Sequence, residues 1–382
     1  MKRYWMCTIF SLIVILLFVK STRAEDEEKP SGLPGGIYDK PYLGRLGNRA
    51  VIGGYIDHEF EWSEGKNSTF DQHRFIPFIY SGITERLHVS AEIEFEHGGL
   101  VKGSGSSEGE IKLEYAIMDF RFSEAFNYRG GVILSPLGKF NLLHDSPLND
   151  LTERPTVNRQ IMPSTLSEAG MGIFGTFYPS ELSVVNYELY LVNGFNDKVI
   201  NSGDQLRVRS GRGSQKADNN HNKAVVGHLS FSPRLGVDLG LSFHSGAYDQ
   251  AGDLNLSIIG ADGKITRGIL EVQGEYARVI ADVISPVTAD VQQGAYGQVN
   301  IHFAHDYFLP QSVFTGVLRW DWVDYDADRT GDSEQGLTFG LNFRPVEDAA
   351  FKLDYNSTWK TPTGGLRGDA AGRFFFSVST YF

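Results

Sequence analysis

From residue 50 onward the chain alternates apolar and polar positions in runs of about ten residues, separated by clusters of Gly, Asp, Asn, Ser and Pro. A period of two gives a strand with two unlike faces. The pattern predicts strands over 50–62, 73–83, 87–96, 110–122, 128–136, 169–178, 182–193, 223–232, 237–248, 254–265, 269–281, 294–305, 313–324, 335–345, 350–360 and 371–382. In the fourth of these the alternation slips around Met118-Asp119. The connections alternate between a short class (83–87, 123–127, 179–181, 232–236, 266–268, 306–312, 345–349) and a longer one (63–72, 97–109, 137–168, 194–222, 249–253, 282–293, 325–334, 361–370). Even strand number, with turns on one side and loops on the other, predicts an all-β fold: a transmembrane antiparallel β-barrel of about 16 strands, with short periplasmic turns and long extracellular loops.

Parity separates the two faces. Ile52, Ile56, Phe60 and Trp62, then Val89, Ala91, Ile93 and Phe95, fall outward with Leu337, Phe339, Leu341, Phe343, Phe351, Leu353, Tyr355 and Trp359. Backbone groups in lipid must be bonded between strands, so such strands need a closed sheet. Trp62, Tyr80, Tyr178, Trp322, Trp359 and Phe382 near strand ends suit interfacial girdles. The inward parity carries Asp57, Glu59, Glu61, Glu92, Glu94, Glu96, Lys112, Glu114, Glu188, Asp238, Glu271, Glu275, Arg319, Asp321, Arg344, Lys352, Asp354, Lys360 and Arg373, thirteen acidic and six basic positions. Charges at that density need water or one another. Sixteen strands leave room for an aqueous channel. The two acidic triplets, 57/59/61 and 92/94/96, are expected to concentrate negative potential on one wall, which favours cations; pairing with Arg and Lys across the lumen is the alternative.

The 48 aromatics (26 Phe, 17 Tyr, 5 Trp) exclude a disordered chain. After residue 24 no apolar run is long enough for a membrane helix. Residues 1–24 have the form of a cleaved signal peptide: Lys2-Arg3, an apolar stretch from Ile9 to Val19, then Thr22-Arg23-Ala24. Cys7, the one cysteine, lies within it, too early for lipidation. Without Lys2, Arg3, Lys20 and Arg23 the 35 basic residues fall to 31 against 47 acidic, a net charge of −16, so no nucleic-acid partner is expected. Residues 25–49 read as a periplasmic leader too short to plug the barrel.

The connection 137–168 stands apart. It is long, carries Pro147, Pro155 and Pro163, and is apolar for a loop. Folded into the lumen it would bury Phe140, Leu142 and Leu143 and bring Lys139, Arg154 and Arg159 to the acidic wall as a constriction; an extracellular cap or subunit contact is the alternative. The connection 194–222, rich in Gly, Ser and Asn, reads as a mobile surface loop. No catalytic group, cofactor or metal site is expected. His244-Ser245-Gly246 is the best hydrolase fragment and lacks partners. His302 and His305 fall on opposite faces. The Asp324, Asp326, Asp328, Asp332 and Glu334 cluster is read as a solvated acidic loop rather than a Ca²⁺ site.

Gly53-Gly54-Tyr55, the stretch from Glu153-Arg154-Pro155 through Ile161-Met162-Pro163-Ser164-Thr165 to Glu168-Ala169-Gly170, and Gly274-Glu275-Tyr276-Ala277-Arg278 carry a resemblance. So does the end Phe374-Phe375-Phe376 to Phe382, whose terminal Phe is similar to the signal that bacterial outer-membrane barrels show to their assembly machinery. The chain resembles the outer-membrane porins grouped with the phosphate-selective porins O and P. The resemblance implies a sixteen-stranded barrel in a Gram-negative-type outer membrane, a third loop folded inward, and a homotrimer in a bilayer with lipopolysaccharide. Phosphate preference in that family needs a lumenal ladder of arginines with lysines, and here the basic residues are scattered over Arg319, Arg344, Lys352, Lys360 and Arg373. The expected function is therefore passive diffusion of small hydrophilic solutes through an acidic-biased lumen. A phosphate- or anion-selective porin and a closed structural or adhesive barrel are the alternatives.

Overall fold

The computed structural model describes residues 51–98, 109–213 and 215–382; the expected signal peptide and leader lie outside them. Sixteen strands pair antiparallel with their sequence neighbours, and β1 closes on β16 to complete a barrel. They are β1 (Val51–Ser63), β2 (Thr69–Gly82), β3 (Leu87–Glu96), β4 (Glu110–Arg121), β5 (Asn127–Leu134), β6 (Ser167–Ser180), β7 (Ser183–Val192), β8 (Ala224–Arg234), β9 (Val237–Ala247), β10 (Asn255–Arg267), β11 (Leu270–Ala281), β12 (Val291–Phe303), β13 (Val313–Asp324), β14 (Ser333–Val346), β15 (Ala349–Thr361) and β16 (Ala371–Tyr381).

The two faces follow the alternation. On β15 Phe351, Leu353 and Tyr355 are exposed, while Lys352, Asp354 and Asn356 between them are buried. On β13 the exposed Leu318 and Trp320 flank buried Arg319. An apolar exterior repeated around a closed sheet is suited to hydrocarbon, and closure leaves no strand edge unpaired. Among the described residues no helix is long and apolar enough to cross a membrane.

At the seam, the N–H of Phe382 donates to the Gly54 carbonyl at 3.0 Å and its ring stacks on Phe75 at 5.8 Å. Gly54 has φ +154°, and a Cβ there would lie 2.1 Å from the Ile76 carbonyl oxygen, so only glycine allows this approach.

Several expectations are corrected. The slip in β4 falls at Glu114–Tyr115, both buried, where the β3 register passes from Glu92↔Tyr115 to Ile93↔Leu113, and not at Met118-Asp119. Tyr80 faces inward, with its hydroxyl 2.7 Å from His88 Nδ1, and belongs to no girdle. β2 starts at Thr69, because the pairing Phe60↔Phe70 continues beyond an irregularity in β1–β2 and the two rings pack at 4.8 Å. The connection expected over 306–312 spans 304–312 and is longer than the two-residue turns 181–182, 235–236, 268–269 and 347–348 on the same side of the barrel.

The connection 193–223 is not simply a surface loop. Phe195, Val199, Leu206 and Val208 are buried with Val157, Ile161, Met162 and Leu166 of the 135–166 connection and with Val192, Val226, Ile258 and Val279 of the wall. Burial of each such side chain is worth roughly 1.5–3 kcal/mol, enough to dock a segment that is otherwise polar.

Candidate functional site

The 135–166 connection contains α1 (Lys139–Leu142) and α2 (Thr156–Gln160). Its backbone and side chains bond to inward groups on many strands. The Phe140 N–H and Asn158 Nδ2 both donate to Glu275 on β11, each at 2.6 Å. The Thr156 N–H donates to Asp321 at 2.8 Å, and the Thr152 N–H to Asp354 at 2.5 Å. Asp150 accepts from Asn300 at 2.8 Å and Asn342 at 2.9 Å, and pairs with Arg344 at 3.1 Å. Lys352 Nζ donates to the Ser146 carbonyl at 2.5 Å, and the Tyr381 hydroxyl to Asp145 at 2.9 Å. On the opposite wall, buried His144 contacts Glu114 at 2.6 Å. The buried wall carboxylates at 275, 321 and 354 thus accept the loop's N–H groups, which would otherwise be unsatisfied.

The basic residues singled out in the sequence are engaged as follows. Lys139 pairs with Asp238. Arg159 pairs with Glu153 at 2.7 Å, within its own segment. Arg154 donates to Ser164 Oγ at 3.4 Å. Arg319 reaches Asp321 and the Glu153 carbonyl, each at 2.8 Å, and Arg344 also donates to the Pro147 carbonyl at 2.6 Å. Arg373 contacts Glu153 at 3.5 Å. Arg154 and Arg159 share a cavity lining with Glu59, Glu61 and Glu96, and the charges of Glu94 and Glu96 reach the Arg154 guanidinium.

The triplets themselves do not form one uninterrupted wall, because β2 lies between β1 and β3. Arg74 on β2 bonds Glu94 and Glu96 at 3.0 Å each, and Lys112 adds a second cation to Glu94. Asp57 and Glu59 meet His73, Glu61 accepts from the Ser63 hydroxyl, and Glu92 is buried. Arg74 is not legible from alternation because the parity of β2 changes within the strand. Arg129, buried against Asp119 and Glu188, is hard to place from sequence because it lies beside Gly130-Gly131, where alternation has no side chains to show it.

A cavity of about 440 Å³ lies between wall and loop. Its lining includes six carboxylates (Glu59, Glu61, Asp71, Glu96, Asp150, Glu153) and five guanidiniums (Arg74, Arg154, Arg159, Arg209, Arg319). Burial raises the Glu153 carboxyl, but the charges of Arg159, Arg373 and Arg319 outweigh it and hold the group below the ordinary carboxylate range. Arg154 is shifted down by burial and by the Arg74 guanidinium. Arg209, bonded to the Ser164 carbonyl, is pushed down to about 10 by burial and by Arg212 and Arg154.

The hydrolase fragment does not assemble. His244 is buried against Glu168 at 3.0 Å, whereas exposed Ser245 bonds Ser257 at 2.8 Å. Consecutive strand residues face opposite ways, so the hydroxyl and the imidazole cannot meet.

No protein-family model matches the chain. A relative named only as an uncharacterized protein of Aquifex aeolicus is 28% identical over 368 residues, covering 86% of this chain and 79% of that protein. Among solved structures, an anion-selective porin from Comamonas acidovorans matches with TM-score 0.59 at 11% identity, over 87% of this chain and 99% of the porin. The outer membrane channel DcaP of Acinetobacter baumannii matches at 0.55 with 10% identity, over 87% and 97%. OprB of Pseudomonas putida matches at 0.55 with 11% identity, over 93% and 100%. The chain has the porin fold.

Proposed function

We propose that this protein is an outer-membrane porin through which small hydrophilic solutes and ions diffuse passively, exported by the signal in residues 1–24. The 135–166 connection acts as the constriction of the lumen. The observation that carries this reading is the contrast between an apolar exterior and a charged interior that holds a cavity of about 440 Å³. The fold shared with DcaP and with OprB supports it. The cavity's six carboxylates face five guanidiniums, so selectivity is weak and leans toward cations. The protein works without a cofactor and not as an enzyme, and it assembles as a trimer in a lipopolysaccharide-containing bilayer.

Anion selectivity, including the phosphate preference that the sequence resemblance suggests, is the second reading. Arg154 and Arg209 favour it, since each is depressed by neighbouring guanidiniums that an anion would relieve. Liposome swelling tests the diffusion reading. Proteoliposomes should swell in small sugars at rates that fall as solute size rises. Swelling no faster than in protein-free vesicles overturns it.

A further inference from the structure

The β1–β2 pairing contains a bulge whose consequence is chemical. Register passes from Asp57↔Arg74 to Glu59↔Asp71, so His58 alone faces both Gln72 and His73. An extra residue in one strand re-aims the side chains beside it. Consequently His73 and Arg74, although adjacent, both turn inward. Gln72 holds the irregularity by donating to the Arg74 carbonyl at 3.1 Å and the Asp57 carbonyl at 3.4 Å.

His73 Nδ1 then lies 2.6 Å from Glu59 Oε1 and 3.2 Å from Asp57 Oδ2. The three donor atoms all fall within 4.8 Å of one another. Asp57 is 1% exposed, and its second oxygen, Oδ1, is buried without a hydrogen bond of ordinary geometry, the Ser146 hydroxyl being the one donor close to this carboxylate besides His73. A buried carboxylate oxygen without a donor is costly, and a cation relieves that cost. Arg74, opposite Asp57 in the register, is committed to Glu94 and Glu96, and the Lys352 ammonium, whose charge reaches Asp57, donates to the Ser146 carbonyl. Glu59 and His73 line the cavity, which leaves one side of the cluster open to water.

We propose that Asp57, Glu59 and His73 bind a divalent transition-metal ion, Zn²⁺ being the type case. One imidazole nitrogen and two carboxylate oxygens form a borderline-hard donor set that suits Zn²⁺, and cavity water completes the coordination as in open zinc sites. This departs from the expectation of no metal site, because the bulge that delivers His73 is not visible in the alternation. His97, stacked on His73 at 5.7 Å, pairs with Asp71 at 2.7 Å and is a neighbour rather than a ligand.

The site requires the folded barrel but not conduction, so metal binding is measured directly. Chelator-treated, folded, full-length protein in detergent is titrated with ZnCl₂ by calorimetry. Folding is checked by heat-modifiable mobility on gels. The wild type should bind one Zn²⁺ per chain saturably at this site. Glu59→Gln and His73→Ala should each weaken that binding by at least about tenfold, the loss that even outer-shell changes cause at metal sites, while His97→Ala leaves it unchanged. If His73→Ala does not fold, the near-isosteric Glu59→Gln decides. Absence of saturable Zn²⁺ binding by the wild type, unchanged affinity in Glu59→Gln, or an equal loss in His97→Ala overturns the assignment. A barrel that binds Zn²⁺ but does not conduct would refute the porin reading and leave the metal site standing.

Discussion

At Arg129 a single guanidinium meets two carboxylates inside the wall. Nε and Nη2 donate to Asp119 at 2.8 and 3.0 Å, Nη1 reaches Glu188 and the Tyr190 hydroxyl at 3.2 Å each, and the cation lies 4.4 Å from the Phe174 ring. Removing one member of a buried charge network strands the others. Arg129→Ala is therefore expected to destabilise the barrel by about 3–5 kcal/mol, read as a lowered urea midpoint in vesicles; a midpoint equal to wild type contradicts this. Glu153 makes a pH-dependent contribution of definite sign. Its folded carboxyl titrates below the ordinary value, so the stabilisation is full above pH about 4.3 and is lost as pH falls through the lower folded value. Glu153→Gln should lower the urea midpoint at neutral pH and lose less than wild type on acidification to pH about 3. Inward Glu153 partners such as Arg319 and Arg373 were legible from parity. Arg74 and His73 were not, because one inserted residue shifts the period without changing composition.

At the scale of elements, the strands were read almost entirely from alternation, since a residue facing lipid and a residue facing water must differ in kind. The connections carry no such rule. The 193–223 segment looked like a mobile surface loop because its buried Phe195, Val199, Leu206 and Val208 are diluted among polar residues. For 135–166 the apolar content was legible, but its bonding partners were not. The loop's backbone N–H groups choose Glu275, Asp321 and Asp354, whose spacing depends on register around the barrel. Asp150 ties this segment to Asn300, Asn342 and Arg344 at one point. Asp150→Ala should leave the barrel folded, as judged by heat-modifiable mobility, and raise open-channel current noise in bilayer recordings. Noise indistinguishable from wild type would show that the clamp is not what steadies the segment.

The whole molecule depends on closure, and closure joins the two ends of the described chain. Nine register pairs, from Tyr55↔Tyr381 to Ser63↔Arg373, join β1 to β16, and the terminal Phe382 adds a hydrogen bond to Gly54 and a ring stacked on Phe75. Deleting Phe382 should reduce the folded, heat-modifiable fraction in membranes while leaving the total chain synthesised unchanged; an undiminished folded fraction removes Phe382 from the assembly account. Inside the closed wall the charge is mixed rather than simply acidic: Arg74 pairs with Glu94 and Glu96 and Arg129 with Glu188, while Glu275, Asp321 and Asp354 are taken up by the loop's N–H groups. On the porin reading proposed above, that balance makes the cation preference expected of an acidic-biased lumen a weak one. The most direct test is single-channel recording of the purified, folded protein in a planar bilayer across a KCl gradient. Steady conductance with a small reversal potential of cation-selective sign is the predicted result. A barrel that inserts and passes no current contradicts the account.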